Sequence, residues 1–211
     1  LVFNSNLTEQ HNVVGIPIKR AVKEGAKLIV IDSREVELSR YSSTWLRPVP
    51  GTELLLLGGI LKSIVDQGLE DSDWLQKFCE EPDTLRYALQ SLDLDEISTV
   101  TEVSLNDINQ AANWFGESDN SAIVYSLDNT VGAIHRDCVE SLVDMALLTG
   151  NVGKPGTGLY PLRPGMNEQG AWDVGCTPTR LPGGRLWSDR TGKQDVEEYW
   201  GATLPLEIGL G

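Results

Sequence analysis

The run KLIVI, residues 27–31, constrains the fold more than any other feature of the chain. It follows an amphipathic stretch that ends at Gly25, and it stops at Asp32-Ser33-Arg34. A continuous apolar run, rather than an alternating one, suits a strand buried on both faces, as in a parallel sheet with helices above and below. The surrounding pattern agrees. LVF (1–3) reads as a strand, a helix is expected from about Val14 to Glu24 with Pro17 in its first turn, and WLRPV (45–49) reads as another strand. Thr52 is placed to cap a helix whose stripe is Leu57, Ile60, Leu61, Ile64 and Val65. Small helices are expected over residues 70 to 100, then one capped by Ser104 with Ile108, Ala111, Ala112 and Phe115 inward. AIVYS (122–126) is a fourth strand, and Val139, Leu142, Val143 and Ala146 mark a helix stopped by Gly150. Strand alternating with helix predicts an α/β fold, a three-layer α/β/α sandwich around a mainly parallel sheet of the dinucleotide-binding kind. Beyond Gly150 the periodicity is weak, and 161 to 175, PLRPGMNEQGAWDVG, reads as an ordered loop.

Ligands of parallel sheets bind at the carboxyl ends of the strands. Four such ends carry distinctive polar residues: Asn4-Ser5-Asn6, Asp32-Ser33-Arg34, Pro50-Gly51-Thr52-Glu53 and Ser126-Leu127-Asp128. Asp32 suits a ribose hydroxyl, or else bonds Arg34 or caps its turn. Ser5 and Asn6 suit phosphate oxygens. Glu53 suits the N–H edge of a guanine, or else complements its helix dipole. No GxGxxG follows the first strands and no GxxxxGK[ST] occurs, which argues against ordinary NAD and P-loop chemistry. His11 and His135 lie in no recognisable catalytic elbow and are expected to pack in a turn and to flank a helix. Asp93, Asp95 and Glu96 read as a solvated helix start.

A net charge of −14 repels nucleic acid and anionic membranes, and no segment is apolar enough to span a bilayer. Cys79, Cys138 and Cys176 form no CxxC pair, so no iron–sulfur or structural zinc site is expected within the chain. Their sparse, odd count suits a reducing compartment, hence a cytoplasmic location; Cys138 is expected in the core. The start at LVFNSN, with neither a methionine nor a signal peptide, reads as an excerpt of a larger protein.

Three segments carry a resemblance: NSNLTEQHNVVGIPIKRAVKEGAKLIVIDSRE, RPVPGTELLLLGGILKSIVDQGL and LLTGNVGKPGTGLYPLRPGMNEQGAWDVG. Together they resemble the molybdopterin oxidoreductase family, and within it the alpha (catalytic) subunits of formate dehydrogenases. The resemblance implies a central segment of such an enzyme, with residues 1–165 as part of a domain binding molybdopterin guanine dinucleotide. Residues 166–211 would cross into a neighbouring α/β domain. It implies two such dinucleotides holding molybdenum or tungsten, with a 4Fe-4S cluster and a cysteine or selenocysteine metal ligand supplied upstream, none by this chain. Partners would be formate, the remaining domains of the subunit and electron-transfer subunits. Carried over by position, Asn6, Glu9, Asp32, Arg34, Gly51, Glu53 and the loop Ser126 to Thr130, including Leu127, resemble cofactor contacts. Arg163 falls on the arginine that orients formate beside the metal. The loop SLDNTV departs from the family's glycine-rich pattern. That departure suits an alternative, a non-catalytic scaffold related to the large iron–sulfur subunit of respiratory complex I. Arg163 and the intact NEQG favour the enzyme.

Overall fold

A computed structural model describes residues 1–126, 133–163 and 167–208, with the backbone alone at residues 82 and 133–135. The chain forms two compact units, Leu1–Leu162 and Arg163–Gly211. The first begins with β1 (Val2–Phe3), α1 (Leu7–Gln10), α2 (Asn12–Lys23), β2 (Ile29–Ile31), a 3-10 turn at Glu37–Arg40 and β3 (Thr44–Leu46). It continues through α3 (Glu53–Asp66), α4 (Ser72–Phe78), α5 (Pro82–Gln90), α6 (Leu94–Thr101) and α7 (Leu105–Gly116). It closes with β4 (Ala122–Ser126), α8 (Ala133–Leu148) and β5 (Gly158–Leu162). The strands lie in the order β3-β2-β1-β4-β5, and every neighbouring pair is parallel. The α/β class read from the buried apolar runs is the class observed.

Alternation along the short strands divides the interior between the two faces. Phe3, Ile29, Ile31, Ile123 and Tyr125 pack with Leu56, Leu57, Ile60 and Ile64 of α3, Ile108 and Phe115 of α7, and Leu142 and Met145 of α8. Val2, Leu28 and Val30 point the other way, onto Leu7, Val36 and Leu38, with Val14, Ile18 and Val22 of α2 against them. Cys138 sits fully buried in the larger core, where burial above all pushes its thiol up to about 11, so it packs as an apolar group rather than reacting.

Local chemistry explains where the strands and helices depart from expectation. Helix α2 starts at Asn12, so Pro17 lies inside it rather than in its first turn. Val13 and Pro17 are both exposed, so the carbonyl deprived of its amide donor is on the solvent side. Strand β3 is Thr44–Leu46 rather than 45–49, because Pro48 lacks a ladder donor and restricts Arg47 before it. Thr52 occupies the first cap of α3, yet its hydroxyl donates to the Val49 carbonyl instead of capping. Ser104 does cap α7, accepting from the Asp107 amide at 3.1 Å, and Asp93 caps α6. The segment beyond Gly150 is not irregular throughout. It supplies β5, whose Pro161 is accommodated because this is the outermost strand of the sheet among the described residues.

The stretch 161–175 is likewise more regular than a loop. Its first two residues end β5, and Glu168–Asp173 form helix α9 of the second unit. Asn167, in the left-handed region at φ 54°, turns the chain into α9. Gly170 is required by closeness, since a Cβ there would lie 2.5 Å from the Asn167 amide nitrogen. Gly175, at φ +80°, closes the helix, its N–H donating to the Trp172 carbonyl while the Cys176 N–H reaches Ala171. A helix of six residues is too short to display a 3.6-residue period, which is why the sequence concealed it. Helix α10 (Arg190–Trp200), capped by Asp189, completes this unit.

Candidate functional site

Because all the strands are parallel, the residues following β1, β2 and β3 emerge along the same carboxyl edge of the sheet as Ser126, which ends β4. The chain fills strands outward from β1 in one direction and then restarts at β4 on its other side, so the strand order reverses between β1 and β4. In parallel sheets that reversal opens a crevice for ligands. The Ser5 and Ser126 hydroxyls meet across it at 2.5 Å, each residue 1 % exposed. They satisfy each other and tie the two strand ends together. Ser126→Ala should cost about 1–2 kcal/mol by leaving Ser5 buried without this partner, and Ser5→Ala combined with it should cost less than the sum. Urea unfolding of the 211-residue chain measures both; simple additivity would show the bond to be idle.

Beyond Ser5, Asn6 stands at the first cap of α1. Its side-chain oxygen accepts from Thr8 Oγ1 at 3.4 Å, and its amide nitrogen has no hydrogen-bond partner among the described residues. Glu9 is exposed on α1. His11 joins α1 to α2, and its buried Nε2 has no partner among the described residues. At the end of β2, Asp32 is 1 % exposed. It accepts from the Arg34 amide at 2.9 Å and from Arg34 Nε and Nη2 at 3.1 Å each, while the Trp45 indole donates to its backbone carbonyl. Past β3, Gly51 holds φ +92°, and its N–H donates to the buried Glu53 carboxylate at 2.8 Å. For Asp32, therefore, the pairing with Arg34 weighed against a ligand contact is present; Glu53 stands in the first turn of α3, where it complements the dipole, and it also accepts from Gly51, so each acid shapes its turn. Leu127, Asp128, Thr130 and Val131 lie outside the described residues, as does the side chain of His135.

In the second unit the Arg163 guanidinium lies over the Trp172 ring, 3.8 Å from its centroid. Glu168, in the first turn of α9, has a buried Oε2 with no hydrogen-bond partner among the described residues. Sequence reasoning set His11 aside and gave Trp172 no role; neither spacing nor composition distinguishes them from packing residues.

The family model described as molybdopterin oxidoreductase matches residues 1–200. The chain belongs to the molybdopterin oxidoreductase family. It is 33% identical over 210 residues to the F420-dependent formate dehydrogenase subunit alpha of Methanocaldococcus jannaschii, covering 100% of this chain and 31% of that protein. To formate dehydrogenase H of Escherichia coli it is 30% identical over 209 residues, covering 99% of this chain and 29% of the relative. Among solved structures, acetylene hydratase from Pelobacter acetylenicus superposes with a TM-score of 0.63 at 23% identity, over 74% of this chain and 22% of the other, a likeness of fold. The chain thus spans less than a third of these relatives. A non-catalytic scaffold related to complex I finds no support in the family model or these relatives.

The molybdopterin oxidoreductase family implies a pterin cofactor with molybdenum or tungsten, and the residues of the carboxyl edge fit such a group. The acids Asp32 and Glu53 are acceptors for hydroxyl and ring N–H donors. The unpaired Asn6 amide nitrogen and the orphaned His11 Nε2 are polar groups without protein partners among the described residues. Polar groups left unpaired by the protein are what a polar ligand would satisfy.

Proposed function

We propose that this chain is the central cofactor-binding segment of a formate dehydrogenase, which oxidises formate to CO2, a proton and two electrons that leave through an iron–sulfur cluster. The observation that carries the reading is that the polar turns after β1, β2 and β3 share one carboxyl edge of a parallel sheet with Ser126, the last residue of β4. The identity of both formate dehydrogenase relatives over nearly the whole chain supports it.

On this reading the cofactor is a pair of molybdopterin guanine dinucleotides, which when bound supplies molybdenum or tungsten as the acceptor of the two electrons. Asp32 accepts from a ribose hydroxyl, and Glu53 accepts from guanine N–H groups. Asn6, with Ser5 behind it, donates toward phosphate oxygens, and Glu9, Arg34, Gly51 and the loop from Ser126 through Leu127 to Thr130 complete the contacts. Arg163 forks onto the formate carboxylate and holds it while negative charge moves off the carbon. The 4Fe-4S cluster and the metal's protein ligand belong to other parts of the subunit, which works in the cytoplasm with electron-transfer subunits.

The full-length subunit should contain stoichiometric molybdenum or tungsten and reduce a viologen dye with formate. The 211-residue chain alone, lacking the metal's ligand, should do neither. A metal-loaded subunit inert to formate would remove the substrate assignment and leave the family membership standing.

A further inference from the structure

Arg163 makes no hydrogen bond or ion pair among the described residues, although two acids stand on the adjoining helix. Glu168 leaves one buried oxygen unused, and the Asp173 carboxylate accepts from Gln169 at 2.8 Å. The guanidinium instead spends its flat face on Trp172, at 3.8 Å from the ring centroid. Stacking of this kind engages the π surface and leaves the N–H edges, which form the fork that binds a carboxylate, uncommitted. The backbone that carries the indole is itself held. Trp172 belongs to α9, which is entered through Asn167 and closed by hydrogen bonds from Gly175 to the Trp172 carbonyl and from Cys176 to Ala171. Gly175 packs so closely on Pro182 that an added Cβ would come within 2.8 Å of its nitrogen.

We infer that Trp172 is the positioning residue for Arg163, fixing the plane of the guanidinium so that its donors face a small planar carboxylate. This rests on the proposed role of Arg163. The stack stands where a half-buried arginine could otherwise make an ion pair. A carboxylate partner would occupy the same N–H groups that the substrate needs, whereas an aromatic face orients the cation without consuming them.

The test uses the full-length, metal-loaded subunit with Trp172 replaced by phenylalanine or by leucine. Trp172→Leu should raise the formate KM about tenfold with a smaller change in kcat, and Trp172→Phe should restore most of the loss because it keeps a π face. A readout independent of turnover is the rate at which phenylglyoxal modifies Arg163, followed by peptide mass spectrometry. That rate should rise several-fold in the leucine variant and stay near wild type in the phenylalanine variant. If Arg163→Ala leaves formate oxidation intact, the parent reading falls. If Arg163→Ala abolishes it while Trp172→Leu matches wild type in KM and in modification rate, this inference falls alone. Should the leucine variant fail to load metal, the phenylglyoxal comparison on the apo-protein decides in the same two directions.

Discussion

Arg163→Ala in the full-length subunit should lower kcat/KM for formate by about three orders of magnitude while metal content stays near wild type. The size follows from what the side chain is proposed to do. An oriented cation that both holds a carboxylate and stabilises its changing charge acts in binding and in the transition state, and loss of one such donor typically costs about 10²–10³ in rate alone. Arg163→Lys should recover little. An ammonium is a point charge without a planar fork, and it would not lie flat on Trp172, where the guanidinium sits 3.8 Å from the ring centroid. Steady-state dye reduction on variants with measured metal content checks both. Activity within twofold of wild type in either variant would take Arg163 out of the reaction.

The legibility of this chain follows the range over which its residues act. Burial on both faces of a parallel sheet leaves a local mark, so Leu28 to Ile31 and the apolar stripe of α3 announced the fold. Ser104 and Asp93 could be read because a cap acts within three residues of itself. The edge strand β5 escaped because Gly158 and Pro161 carry turn chemistry, and pairing with β4, which no local pattern encodes, overrides it. Polar residues at the strand ends were visible, but their partners were not. The Ser5–Ser126 bond joins positions 121 apart in the chain, and the stacking of Arg163 on Trp172 spans a helix too short to be periodic. The Glu53 carboxylate shows the reverse case. Its place in a first helical turn was plain, while the Gly51 N–H it accepts from depends on a left-handed turn that the backbone alone reveals.

Asp32→Asn should separate the two duties of that acid. The carboxylate is almost wholly buried while the Arg34 side chain is 53% exposed, so the pair is lopsided: water partly solvates the cation and scarcely reaches the anion. Removing the charge weakens two guanidinium contacts at 3.1 Å, but asparagine keeps an oxygen for the Arg34 amide at 2.9 Å, and the exposed cation can return to water. The stability cost should therefore be about 1 kcal/mol, against about 2 kcal/mol for Asp32→Ala, which also strips the amide of its acceptor. Cofactor retention should respond far more. An ionised carboxylate accepts a charge-assisted bond from a ribose hydroxyl, whereas asparagine offers one neutral oxygen, already taken by the Arg34 amide, so pterin and metal content should fall more than tenfold in both variants. Metal analysis of the purified subunit, set beside urea unfolding of the same variants, gives the two numbers independently. If Asp32→Asn loses its 1 kcal/mol yet keeps its full complement of cofactor, the acid serves only to fold the turn around Arg34, and the ribose contact must be assigned to another residue of the carboxyl edge.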